Sequence, residues 1–438
     1  MIVGLSVAFA TLFADRVRGQ DICDHSLRVL IEAREFGAAY VCGLQALENG
    51  DKSVDVLLVV ARAAQETGRP EVAAEYVRRA RTLPMNRSQK FAARLIGGMA
   101  EAALGNTLAA KLQLRRASDF AGNPVEKEVV ARALAGVAAG SPWRGTVRFG
   151  ITPSDNINGG SLHDTITWLG LEFPLDADAR AQAGTGYSLG GDVSYTRLLG
   201  DRVQWENTLS FDGVVYDGRG RNDLKAGFVS ALSYAAGGEV PGIWKGSLSL
   251  ERRAIAVGLG EPAFGDYMPY TTTATAGLER FWQPEAGGVV SLYGTYSYRR
   301  SDSGGADARI AKLGGFYRFD WGGGQVQFGG YLEDVDTTDA NEAARAARVS
   351  LGYARGFDGF DVSVRAQVAH TEYRERLFGY PAARVDDTGL LELSVTPTGW
   401  QFYGFRPRFG VVLERQVSNL DRYDTQTLRF FTGLDSAF

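Results

Sequence analysis

Side chains able to do chemistry are few in this chain, and they are scattered. It holds three histidines, His25, His163 and His370, and two cysteines, Cys23 and Cys42, in 438 residues. The histidines stand far apart and none shares the short spacing of zinc ligand pairs. Cys23 and Cys42 lack a second ligand pair, and His25 alone does not supply one. Gly322-Gly323-Gly324 is not followed by the Lys-Ser/Thr and helix of a phosphate loop. No Ser, His and Asp are grouped locally as a nucleophile and its base. No catalytic, metal or cofactor site is therefore expected. The cysteine pair suits a bridge stapling two neighbouring helices in an oxidising compartment, with two buried thiols as the alternative.

What recurs instead is charge at every second position. Trp205, Leu209, Phe211 and Val215 alternate with Gln204, Glu206, Thr208, Ser210 and Asp212. Val362, Val364, Ala366 and Val368 alternate with Asp361, Ser363, Arg365 and Gln367. A period of two is the signature of a strand with unlike faces. Such runs cover 143–153, 181–198, 202–215, 222–235, 242–257, 267–281, 288–300, 308–321, 324–335, 343–354, 358–372, 387–396, 402–416 and 425–438. Fourteen strands, an even number, with polar residues along one whole face fit a closed antiparallel outer-membrane barrel better than a sandwich. The charges Glu206, Glu251, Arg253, Arg365, Arg408, Glu414 and Arg429 then fall on the lumen side. They form either a self-paired, solvated lining or part of a gate where the first and last strands meet.

No run reaches the roughly 18 apolar residues of a membrane helix. The mean hydropathy of −0.14 does not argue against a membrane, because only alternate barrel residues face lipid. A net charge of −4 without a basic stripe excludes nucleic acid as a partner. Connections alternate between long and short, which places the long ones outside, the short ones and both termini in the periplasm. Aromatics near strand ends, among them Trp143, Trp244, Trp282, Trp321 and Trp400, suit an interfacial girdle against outer-membrane lipid. The first long connection carries its own alternating run, 165–173, expected either as an external hairpin or as a plug in the lumen.

Composition changes near Gly140. Residues 1–20 read as a signal peptide lacking its basic start, as if the true start codon lay upstream, or else as a buried first helix. Residues 21–140 show apolar residues at three and four, cut by Gly and Pro into short helices. Ala61, Gly68, Ala73, Val77 and Ala80 superimpose on Gly98, Gly105, Ala110, Leu114 and Ala117 at an offset of 37 residues. A weaker unit precedes them. The pattern resembles tetratricopeptide (TPR) repeats, which offer a concave surface to a peptide or protein. A plain bundle is the alternative. Residues 141–438 are the barrel.

Two stretches carry a family resemblance. Ser154, Asn156, Ile157 and Asn158 follow the first strand directly. Gly404, Pro407, Arg408, Ser418, Asn419, Tyr423 and the terminal Phe438 mark the closing hairpin. Both are similar to the barrel domain of the Slam family (surface lipoprotein assembly modifiers). That resemblance implies a monomeric, cofactor-free translocator carrying surface lipoproteins or related secreted binding proteins across the outer membrane. The terminal Phe438 itself resembles the closing aromatic of outer-membrane barrels in general, which implies that the barrel-insertion machinery reads it. A polysaccharide-export or simple diffusion porin is the alternative.

Overall fold

The computed structural model describes Cys23 and residues 26–216, 221–238, 240–257, 270–285, 287–302, 305–339, 341–401 and 404–437. The expected signal segment 1–20, His25 and Phe438 lie outside them. Two compact units meet between Gly140 and Ser141.

The first unit holds α1 (Leu27–Glu32), α2 (Phe36–Glu48), α3 (Val54–Glu66), α4 (Pro70–Ala80), α5 (Arg87–Ala103), α6 (Thr107–Phe120) and α7 (Pro124–Gly140). Local chemistry sets their limits. The Ser53 hydroxyl accepts from the Val56 amide at the start of α3, Asn86 and Gln89 form a capping box on α5, and Pro70 opens α4. Gly68 and Gly105, at φ +75° and +78°, end α3 and α5 in the left-handed region that a side chain disfavours. The α3–α4 and α5–α6 hairpins are thus two TPR-like units with matching turns. Apart from these two turn glycines their matching residues are buried, and Ala61, Val77, Ala80, Ala93 and Ile96 share one core. Leu114, Ala117 and Val130 pack α7 onto α6. Helix lengths run from 6 residues in α1 to 17 in α5 and α7, a wider spread than the breakers predict. Cys23 and Cys42 are joined by a disulfide.

The second unit is a closed barrel of fourteen antiparallel strands in sequence order, with the first paired to the last. These are β1 (Trp143–Ser154), β4 (Gly184–Leu198), β5 (Val203–Tyr216), β6 (Arg221–Ala236), β7 (Gly242–Val257), β8 (Tyr270–Trp282), β9 (Val289–Ser301), β10 (Ala308–Trp321), β11 (Gly324–Thr337), β12 (Ala344–Phe357), β13 (Phe360–Tyr373), β14 (Val385–Pro397), β15 (Arg406–Ser418) and β16 (Thr425–Ala437). The fourteen runs read from alternation coincide with these strands to within a few residues. A short hairpin, β2 (Thr165–Trp168) and β3 (Leu171–Pro174), interrupts the first long connection. At the other rim, Gly322 and Gly323 with φ of 60° and 75° make the two-residue turn between β10 and β11.

Register fixes the faces. Phe149 pairs with Leu434, Leu413 with Leu391 and with Leu428, Leu248 with Ala276, and Leu313 with Leu332. Phe149 and these leucines, Leu428 excepted, stand 44–67% exposed on the convex side. Soluble domains hide such side chains, and a continuous outward band of them is the construction of a membrane-spanning barrel.

Candidate functional site at the barrel seam

The seam between β1 and β16 differs from the other ladders. Thr146 to Ile151 pair continuously with Ala437 to Thr432, the ladder then lapses at Thr152 and Pro153, and Ser154 meets Arg429. On its other side β1 pairs without a break from Trp143 to Ser154 with β4. Proline has no N–H to donate, so Pro153 interrupts the ladder, and the Thr152 hydroxyl is buried without a partner.

Beyond the lapse, the long-loop end of the seam is tied by side chains. The Asp155 carboxylate accepts from the Leu428 amide at 2.7 Å, while the Asp155 amide donates to the Leu428 carbonyl. Asn156, 5% exposed, donates through Nδ2 to the carbonyls of Gly160 and Gln426 at 3.0 and 2.9 Å. Asn158 closes the same loop by donating to the carbonyls of Asp178 and Arg180. Ser161 Oγ donates to the Asp421 carbonyl at 2.6 Å, and His163 Nε2 lies 2.8 Å from Asp424 Oδ2. Arg415 completes the group by pairing with Asp424. Burial alone would raise the Asp424 carboxyl, but the hydrogen bonds from Arg415 and then His163 outweigh it and hold the group below its ordinary value.

The closing-hairpin residues divide between the two rims. Ser418, Asn419 and Tyr423 join this latch. Asn419 Oδ1 accepts from the Val385 amide and its Nδ2 donates to the Ala383 carbonyl, each at 2.8 Å. Tyr423 stacks under the Arg384 guanidinium, 3.7 Å from the ring centroid, and donates its hydroxyl hydrogen to Asn341. Arg384 is paired with the buried Asp386 at 2.5 Å and also covers Tyr373. Gly404 and Pro407 belong to the opposite rim, where Gly404 turns the chain at φ +83° and Phe405 meets the Phe149 ring at 6.0 Å. The β2–β3 hairpin docks on the β13–β14 connection, with Trp168 Nε1 donating to the Phe378 carbonyl at 3.0 Å. Of the two expectations for 165–173, it takes the external hairpin.

Polar side chains converge on the concave face. A cavity of about 520 Å³ is bordered by Arg148, Asp212, Lys225, Arg408, Arg429 and Asp435, from strands on both sides of the seam. Only an inward face brings such distant strands to one space. Most charges there are matched across neighbouring strands. Arg148 binds Asp212 at 2.9 Å and Asp192 at 3.4 Å, Arg253 binds Asp223 at 2.5 Å, Lys312 binds Glu333 at 2.8 Å, and Arg408 binds Glu392 at 3.0 Å. Arg365 donates to Gln367 at 3.3 Å. Glu206, Glu251, Glu414 and Arg429 lie on the same inward set by register, opposite Ala231, Thr273, Thr427 and Val412. Glycines keep this wall thin: a Cβ on Gly150 would sit 2.5 Å from Ser188 Oγ, and Gly410 accommodates the Phe431 ring.

Sequence reasoning missed Asp155, Ser161, His163, Arg384 and Asp424. Only local turn residues signal them, since their partners lie in distant connections. Among the described residues no cluster of His, Cys, Asp and Glu is arranged for a metal.

No family model and no curated protein matches the chain. Solved structures similar to it include a loop-deleted OmpT, an outer membrane protein of Vibrio cholerae, at 11% identity and a TM-score of 0.34, covering 68% of this chain and 98% of that one. OprB of Pseudomonas putida is similar at 11% identity and a TM-score of 0.37, over 70% and 97%. The first TPR domain of human RPAP3 is similar at 19% identity and a TM-score of 0.23, over 28% and 96%.

Proposed function

We propose that the chain is an outer-membrane translocator that delivers surface lipoproteins, or related secreted binding proteins, from the periplasm to the cell surface. The single observation that carries this reading is the seam. Asp155 and Asn156, inside the first stretch similar to Slam proteins, tie β1 to β16 beyond a lapsed ladder, and the Asp421 carbonyl of the second stretch accepts from Ser161. A barrel that only had to hold a pore open would gain most from an unbroken seam.

In this reading the helical unit stands in the periplasm and receives the client on a repeat surface. Val41, Leu108 and Val125, each at least 59% exposed, are apolar side chains available to it. The client then passes through the lumen or through a parted seam. Mutually paired lumen charges give the wall little single-sign field, which suits a protein client of mixed charge.

The test is co-expression with candidate lipoproteins from the same cells, followed by protease shaving of the surface. Deletion should abolish shaving of at least one client. If every candidate stays equally exposed, the translocator reading is lost. The paired lumen is also what a diffusion or polysaccharide-export porin would have. Steady conductance of the barrel in a planar bilayer, with no client dependence in cells, would favour that second reading.

A further inference from the structure

Several cations on the outward face of the barrel are matched by a carboxylate or lie at a rim. Near the long-loop rim, Arg345 and Arg374 bind Asp334, and Arg300 faces Asp302 at 3.5 Å. Near the short-turn rim, Arg280 lies over Trp244 and Trp282, where headgroups and water are at hand. Arg252 stands five residues inside the end of β7, between outward Ala226 and Thr272. Its guanidinium rests 4.7 Å from the Tyr270 ring centroid, and among the described residues no carboxylate meets it. A guanidinium on a lipid-facing wall is unfavourable unless it reaches an anion.

The wall beside it is shaped. A groove of about 460 Å³ runs across β4 to β8, with Gly213, Ala226 and Ala254 as its floor and Phe211, Leu224 and Tyr270 as its sides. Gly213 pairs with Leu224, Phe211 with Ala226, and Leu224 with Ala254, so small and large side chains alternate across neighbouring strands. The apolar lining suits acyl chains, and a cation at one edge that meets no carboxylate among the described residues suits a phosphate.

We propose that this groove binds a phosphate-bearing, multiply acylated glycolipid of the outer leaflet (lipid A), with acyl chains over Ala226 and Ala254 and a phosphate on Arg252. The choice of the outer leaflet rests on the orientation proposed above, in which the long loops face out. That orientation has its own readout, because the helical unit should resist protease in intact cells.

The test uses the full-length chain purified in detergent, with native mass spectrometry against bis-phosphorylated lipid A, its phosphate-free form and phosphatidylglycerol. Folding of each variant is checked by migration before and after boiling. Wild-type protein should retain bis-phosphorylated lipid A. Arg252→Gln should retain about tenfold less, as expected for loss of a charge-assisted phosphate contact. Ala226→Leu, which fills the floor and leaves the cation, should lose it as well. Wild-type retention by either variant, or retention of phosphatidylglycerol or the phosphate-free form to the same extent, overturns the site. If lipid A fails while the helical unit proves periplasmic, only the site falls and the translocator reading stands.

Discussion

Asp424 shows how much a single side chain can hold. Its carboxylate gathers Arg415 from the preceding strand and His163 from a connection remote in sequence, and is only 14% exposed. Because its folded value is depressed, its contribution to the latch is present above the unfolded value of about 3.9 and is lost as pH falls through the folded one. Residues 155–163 of the wild type should therefore stay protected from pH 8 down to about pH 4 and open below it. Hydrogen exchange of that segment checks this. Asp424→Asn should open it at pH 7 by about 1–2 kcal/mol, a rise of roughly tenfold in exchange. Unchanged exchange would remove Asp424 from the latch. At this scale the sequence is least legible. Ser154 and Asn156 stand out by their motif, yet nothing local says that Asn156 bonds to Gln426, because the barrel must close before they meet.

Elements were far more legible, since their causes are local. Gly68 and Gly105 mark equivalent turns because only glycine rests easily at their positive φ. Gly98 marks something else: a Cβ there would lie 2.6 Å from Leu114 Cγ, so it records the close approach of α5 and α6. Gly98→Ala should cost about 1–3 kcal/mol and lower the melting of the helical unit without touching the barrel, which calorimetry of the isolated transitions would resolve. Equal melting would refute the tight contact. The disulfide closes a 19-residue separation and should contribute about 3 kcal/mol on the chain-entropy estimate. Thiol labelling of native protein should find neither Cys23 nor Cys42 until reductant is added. Strand limits followed alternation well, because one slipped residue would exchange lipid-facing and lumen-facing side chains throughout a strand. The β2–β3 hairpin was the ambiguous element: a short alternating run says that strands form and not where they dock.

The whole molecule was legible as a count and opaque as a mechanism. An even number of unlike-faced strands implies closure, but whether the seam parts depends on ladder energies that periodicity does not encode. Val147 faces Ser436 across the seam, so Val147→Cys with Ser436→Cys should form a covalent clamp. Oxidation of that pair should stop client exposure in the shaving assay if the seam is the route, and reductant should restore it. Full exposure with the clamp closed would assign passage to the lumen. Neither result depends on the lipid groove.

The latch also bears on how a cell distinguishes a finished barrel from an unfinished one. Until β16 arrives, the sheet has two open edges, β1 and β15, and every ladder between them can already be satisfied. Asn156 and Ser161, however, each donate to a carbonyl of the last hairpin, those of Gln426 and Asp421, besides their bonds within their own loop. A chain truncated before that hairpin keeps nearly all its strands yet deprives this buried asparagine and serine of those two acceptors. Completeness is thus recorded at one corner of the molecule, where a few polar groups act as a checksum over the whole chain.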